Sequence, residues 1–242
     1  MEKIYWKPVE KPAEISEHRI ITAILDGTFA VDSNLPAERE LAVRLGVTRP
    51  TLREALQRLA RDGWLEIRQG KPTRVRNYWQ EGNLAVLASI AQHEENLPPD
   101  FVPWLLSARV LLAPAYTRQA VEKNASQVES FLTNFESLPD DPRAFATYDW
   151  NLHRQLSILG GNPFFTLFIN TLQRLYEILG PRYFALPEAR QHSRSWYANL
   201  RRCARECTGE EALHLTERIM QESLELWLRL TSVSDNKTTK QY

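Results

Sequence analysis

Two short amphipathic segments meeting at a tight corner, followed by a strand-like hairpin, constrain this chain more than any other feature. The first segment follows Leu35-Pro36-Ala37-Glu38, where Pro36 suits a helix opening because the amide it lacks would be unpaired there anyway. Leu41, Ala42 and Leu45 supply its apolar face, and Gly46 stops it. After Val47, the Thr48 hydroxyl suits a cap for free amides and Pro50 fits a first turn. Leu52, Ala55, Leu56 and Leu59 then form a buried stripe as far as Asp62-Gly63. Trp64 to Arg68 alternates, Gln69-Gly70-Lys71-Pro72 turns, and Thr73 to Arg76 alternates again, the pattern of a β-hairpin. With a further helical stripe in residues 13–27 (Ile20, Ile21, Ile24, Leu25), residues 1–76 are expected to form a winged helix-turn-helix with a two-stranded wing.

The charge pattern singles out the same region. The whole chain balances 30 Lys+Arg against 30 Asp+Glu, yet ten bases and only four acids lie between Arg39 and Arg76. A basic window in a neutral protein points to nucleic acid. The N-terminal end of the second helix is where amides and dipole favour phosphate, and it carries Thr48, Arg49, Thr51 and Arg53. Arginine bridges guanine O6 and N7, while threonine meets phosphate or a thymine methyl. Arg39 is placed to reach the backbone, and Gln69-Gly70-Lys71 makes a small basic tip for a minor groove. The plainer reading, a solvated helix face, explains the charges but not their coincidence with caps, corner and hairpin.

Residues 77–83 (NYWQEGN) read as a linker, and residues 84–232 as an all-α bundle of about seven helices. These are expected near 84–93, 101–122, 125–137, 142–160, 164–180, 188–207 and 209–231, with 233–242 a polar tail. The fold class is therefore mainly α. No run of about 18 apolar residues is present, so no membrane span is expected. Met1 to Lys7 has neither a signal-peptide nor a transit-peptide pattern, which favours a cytoplasmic protein. Cys203 and Cys207 make no disulfide framework and have no activating base evident. GxSxG, phosphate-loop and HExxH signatures are absent, so an enzyme is not expected.

The run LPAERELAVRLGVTRPTLREALQRLARDGWLEIRQGKPTRV (Leu35 to Val75) resembles the N-terminal domain of the GntR family of bacterial regulators. GNPFFTLFINTLQRLYEILGPRYFALPEAR (Gly161 to Arg190) and QESLELW (Gln221 to Trp227) are similar to the acyl-CoA-responsive branch that governs fatty acid metabolism. The resemblance assigns operator contacts to Arg39, Thr48, Arg49, Thr51, Arg53 and the wing tip Gln69, Gly70 and Lys71. Paired half-sites a fixed distance apart require two winged units, so a homodimer is expected. The resemblance implies repression of fatty acid degradation genes and activation of synthesis genes from upstream positions. Four positions depart from the branch: Pro50 stands where a threonine is expected, Gln69 where the wing has histidine, His153 where an aromatic is expected, and Met220 where the branch has glycine, which would narrow or reshape a cavity there.

In the second region, Arg109 is the lone charge between Phe101 and Thr117. A guanidinium on a buried helix needs an anion, either an internal acid such as Asp149 or an acidic ligand. Asp149 and His153 share one face of their helix, and their spacing resembles half of the metal site in related GntR regulators. Tyr197 and Ile219 occupy the places of the other two histidines, which makes a metal ligand set poor and an Asp–His hydrogen bond the favoured alternative. A small-carboxylate sensor using a metal at Asp149 and His153 remains the second reading. Tyr176, Tyr183 and Tyr197 place hydroxyls among apolar residues, suited to a thioester or amide. Ile219, Ser223 and Trp227 lie on one stripe of the last helix, and the resemblance ties Ser223 and Trp227 to the acyl-CoA response. No cofactor is implied; the effector expected is a long-chain fatty acyl-CoA.

Overall fold

The computed structural model describes residues 11–238, and the chain divides into two compact units at Leu97/Pro98. In the first, α1 (Pro12–Leu25) buries Ile20, Ile21 and Ile24, the stripe its spacing predicts, and packs on α3. α2 (Glu38–Leu45) ends at Gly46, whose φ of +68° only glycine adopts readily, and α3 (Arg49–Asp62) starts after the cap Thr48. The Thr48 Oγ1 accepts from the amide of Thr51 at 3.3 Å. Pro36 does not open a helix: α2 begins two residues later, with Ala37 at its cap.

The wing pairs β1 (Leu65–Glu66) with β2 (Arg74–Val75), antiparallel, with Leu65 opposite Val75. A third segment joins them. Val75 donates to Ser33 O at 2.8 Å, Asp32 to Val75 O at 2.9 Å, and Leu35 to Thr73 O at 2.8 Å. Asp32 to Leu35 carries no alternating apolar pattern, so its sequence gives no sign of this pairing.

Residues 77–83 are not a free tether. They form α4 (Tyr78–Glu81), with the Tyr78 ring 4.7 Å from Trp64. A Cβ on Gly63 would stand 2.8 Å from Gly82 Cα, so the end of α4 abuts the end of α3. α5 (Ala85–Ala91), expected in the bundle, belongs to the first unit. His93, buried just past it, stacks on His18 of α1 at 4.2 Å.

The second unit is helical throughout among the described residues. It comprises α6 (Phe101–Leu132), α7 (Pro142–Leu159), α8 (Pro163–Thr171), α9 (Gln173–Phe184), α10 (Pro187–Glu206) and α11 (Gly209–Thr238). Six helices replace the expected seven for local reasons. The segments 101–122 and 125–137 run together through a kink at Asn124 (φ −143°, ψ 43°), whose amide donates to Leu159 O at 2.7 Å. The segment 164–180 is broken at Leu172 into α8 and α9, and 84–93 lies in the other unit. Prolines 142, 163 and 187 open α7, α8 and α10, where a missing amide costs nothing. α11 continues to Thr238, into the segment read as a tail; residues 239–242, like residues 1–10, lie outside the described ones. No helix among the described residues is long and apolar enough to cross a membrane.

Candidate functional site

In the first unit, Arg39, Thr48, Arg49, Arg53, Gln69, Gly70 and Lys71 are exposed and Thr51 is half-buried. Thr48 and Thr51 join their hydroxyls at 2.9 Å, which fixes both at the start of α3. Pro50 sits exposed beside them, without an amide to donate. The basic excess of the window is smaller than counting suggests. Acids outside it neutralise part: Glu17 pairs with Arg58, Glu38 with Arg53, and Asp32 and Glu81 with Arg74. Glu40, Glu54, Asp62 and Glu66 take Arg44, Arg58, Arg61 and Arg68. Among the described residues of the window, Arg39, Arg49, Lys71 and Arg76 have no ion pair, and three of these four stand at expected operator-contact positions; Arg76, half-buried at the end of the wing, does not. At the wing tip, Gly70 takes φ +72° and Lys71 N donates to Arg68 O at 3.2 Å, a tight turn that projects the lysine.

The second unit holds an apolar cavity of about 70 Å³ between α6 and α9. Val102, Leu105, Leu106 and Arg109 line it from one stripe of α6; Leu172, Leu175, Tyr176, Leu179 and Tyr183 line it from α9 and its start. Arg109, Tyr176 and Tyr183 are expected site residues; the leucines are not among the residues the sequence singles out. Their three- and four-residue spacing around those polar residues was the available signal.

Behind Arg109 lies a buried polar cluster. Arg109 Nη2 donates to Asp149 Oδ2 at 3.2 Å and to His153 Nε2 at 2.6 Å. Tyr197 OH donates to the other Asp149 oxygen at 2.9 Å. His153 Nδ1 lies 2.6 Å from Tyr116 OH, and the ring stacks 5.1 Å from Trp196. Burial, and then the Arg109 cation, push the His153 pKa well below the usual imidazole value, so the ring is neutral. Since Nε2 accepts from Arg109, the proton is on Nδ1 and is donated to Tyr116. Burial opposes the charge on Arg109, but the surrounding Tyr176 and Asp149 more than offset it and the guanidinium stays protonated. Burial raises the Asp149 pKa, against the pull of Arg109 and Tyr197. Tyr176 lies 5.4 Å under the guanidinium, and burial raises its phenol pKa.

Two expectations change here. Asp149 and His153 make no hydrogen bond, standing 3.7 Å apart with the accepting face of His153 turned to Arg109. The half metal site is instead occupied by chemistry of its own: both donors already share one guanidinium nitrogen, so a divalent ion would have to displace a buried cation. Tyr116, which completes the cluster, is not among the expected site residues, although it follows Arg109 by seven residues on the same face.

The α11 residues lie to one side. Ser223 is buried and donates to Ile219 O at 2.8 Å. The Tyr183 hydroxyl faces Ser223 without a well-formed hydrogen bond, and Trp227 tilts against the Tyr183 ring at 6.4 Å. Ile219 and Met220 are buried in the core and do not line the cavity.

Comparison with known proteins also finds two parts, but with the boundary at residue 75/76, so that α4 and α5 fall in the C-terminal match although they pack within the first compact unit. Residues 13–75 match the gntR family of bacterial regulatory proteins, and residues 76–238 match the FadR C-terminal domain. The chain is 38% identical over 221 residues to the fatty acid metabolism regulator protein of Enterobacter sp. (strain 638), spanning 91% of this chain and 92% of that one. The Pectobacterium carotovorum protein of the same name is 38% identical over 223 residues, 92% and 93% of the two chains. Among solved structures it resembles Lar, which controls expression of the Listeria monocytogenes agr system: TM-score 0.65, 16% identity, 93% of this chain and 100% of that chain. That likeness is one of fold. The chain therefore belongs to the GntR family of bacterial regulatory proteins, in the group built on the FadR C-terminal domain.

Proposed function

We propose that this protein is a homodimeric, operator-binding regulator of fatty acid metabolism that acts in the cytoplasm and is released from DNA by long-chain acyl-CoA. The observation that carries the effector reading is the apolar cavity closed at one side by Arg109, Tyr176 and Tyr183. Leucine walls suit an alkyl chain, which gains about 0.8 kcal/mol per buried CH₂. Arg109 Nε is buried without a partner and Tyr183 OH lacks a well-formed hydrogen bond; both suit a carbonyl or other acceptor on the ligand. The relatives' shared name, fatty acid metabolism regulator protein, supports the same class of ligand.

Size supplies the switch. A cavity of about 70 Å³ has room for roughly five waters, at the ~10–15 Å³ each requires. A long acyl chain does not fit without parting α6 and α9. The closed bundle is then the DNA-competent state, and the ligand's preference for the opened one shifts the equilibrium. In a dimer, that opening changes the spacing at which two winged units meet paired half-sites, with Arg39, Thr48, Arg49, Thr51, Arg53 and the Gln69-Gly70-Lys71 tip as the contacts. Degradation genes are repressed in the unliganded state, and synthesis genes activated from upstream sites. Native mass spectrometry of the purified protein with oleoyl-CoA tests the ligand: one acyl-CoA bound per protomer is expected. Binding of free CoA with equal affinity would refute the assignment.

A further inference from the structure

The arginines of the winged unit are not equivalent. Arg44 and Arg58 each give a terminal guanidinium nitrogen to an acid one turn back on their own helix, Glu40 and Glu54. Arg74 uses all three of its nitrogens, on Glu66, Asp32 and Glu81. Arg53 is held differently. Its Nε donates to Oε2 of Glu38 at 2.7 Å, across from α3 to the first residue of α2. Its two terminal nitrogens donate to nothing among the described residues, and the side chain is 69% exposed. Arg53 follows Arg49 by four residues, so both stand on one face of α3.

The geometry points to Glu38 as a positioning residue for base readout, an inference that rests on the DNA-reading function proposed above. By taking Nε, Glu38 leaves Nη1 and Nη2 as an open fork, the arrangement that meets guanine O6 and N7 end-on. It also removes rotamer freedom from Arg53 before the duplex arrives, so less is lost on binding. The carboxylate has an opposing effect. A negative charge beside the reading helix weakens contact with the phosphates of every duplex, whatever its sequence. Glu38 therefore lowers general affinity, and the loss is offset only where the fork finds its base. That is discrimination by an unfavourable element as well as a favourable one.

A simpler role competes with this one. An acid at the first position of a helix complements the helix dipole, and Glu38 would do that with no arginine near it. Substitution with aspartate separates the two, because Glu38→Asp keeps the charge at the helix start but shortens its reach to Arg53. The experiment uses the intact chain and a duplex selected from a random pool by the unmodified protein. Fluorescence anisotropy then gives affinities for that duplex and for its scrambled counterpart, with thermal melting as the check on folding. Glu38→Gln and Glu38→Asp should each reduce the selected-to-scrambled affinity ratio by roughly threefold to tenfold. Glu38→Gln should leave scrambled binding equal or tighter. In an Arg53→Ala background, Glu38→Gln should no longer change the ratio. The inference is overturned if Glu38→Asp behaves as the unmodified chain, if both duplexes weaken equally, or if the ratio falls as far without Arg53. A pool from which the unmodified chain enriches no motif overturns the DNA reading and this inference together.

Discussion

Both units of this protein carry arginine–carboxylate pairs, and burial makes the two sets do opposite things. In the winged unit, Arg53 and Glu38 are 69% and 39% exposed, and water can replace either partner. Such pairs add little to folding, are screened by salt, and exchange readily for phosphate. In the bundle, Arg109 and Asp149 are 15% and 2% exposed, and removing either strands the other in an apolar interior. The same chemical pair is water-exposed and exchangeable in one place, as the reading role proposed for Arg53 requires, and a fixed support for a cavity wall in the other.

The contrast is open to direct attack. Asp149→Ala should be the largest effect, about 3–5 kcal/mol of bundle stability by urea unfolding, because it leaves Arg109 buried and uncompensated. A loss within the error of the measurement would erase the distinction between the two sets. Arg49→Ala, in the exposed set, should weaken operator binding by about tenfold to a hundredfold in anisotropy titrations while leaving the melting temperature where it was. A fall in melting temperature of several degrees would place Arg49 among the structural residues.

His153→Phe sharpens the buried side through its pH dependence. It deprives Tyr116 of its partner, at a cost of about 1–3 kcal/mol near pH 8. The native imidazole has a depressed pKa, so below about pH 6.5 the unfolded chain binds a proton that the folded chain does not. His153 therefore withdraws stability as the pH falls through that value, and phenylalanine does not. The stability gap between the two proteins should narrow from pH 8 to pH 5; a gap that widens would mean that the folded imidazole is charged. Smallest of all, Lys71→Ala should lower the slope of log affinity against log salt by about 1, as expected for one lost phosphate contact. An unchanged slope would take the wing tip away from the backbone.

What was legible in the sequence was mostly what neighbouring residues decide. Gly46, Thr48 and Gly63 mark the helix ends because their backbone and capping chemistry acts over three or four residues. The pairing of Arg109 was legible too, since a lone charge on an apolar helix demands an anion. The misses depend on partners that arrive from elsewhere. Asp149 and His153 share a face in any helix, but whether that face binds a metal or a guanidinium depends on Arg109, forty residues upstream. Tyr78 looks like part of a polar linker until Trp64 covers its ring. Asp32 to Leu35 becomes strand-like only because β2 offers its free edge.

Whether an alkyl chain entering the bundle loosens the proposed hold on DNA is decided by one titration. Anisotropy of the labelled operator complex is followed as oleoyl-CoA is added, with free CoA in parallel. A fall to the value of free DNA is expected with oleoyl-CoA, and no change with CoA. An operator complex that persists at saturating oleoyl-CoA would contradict the proposed coupling.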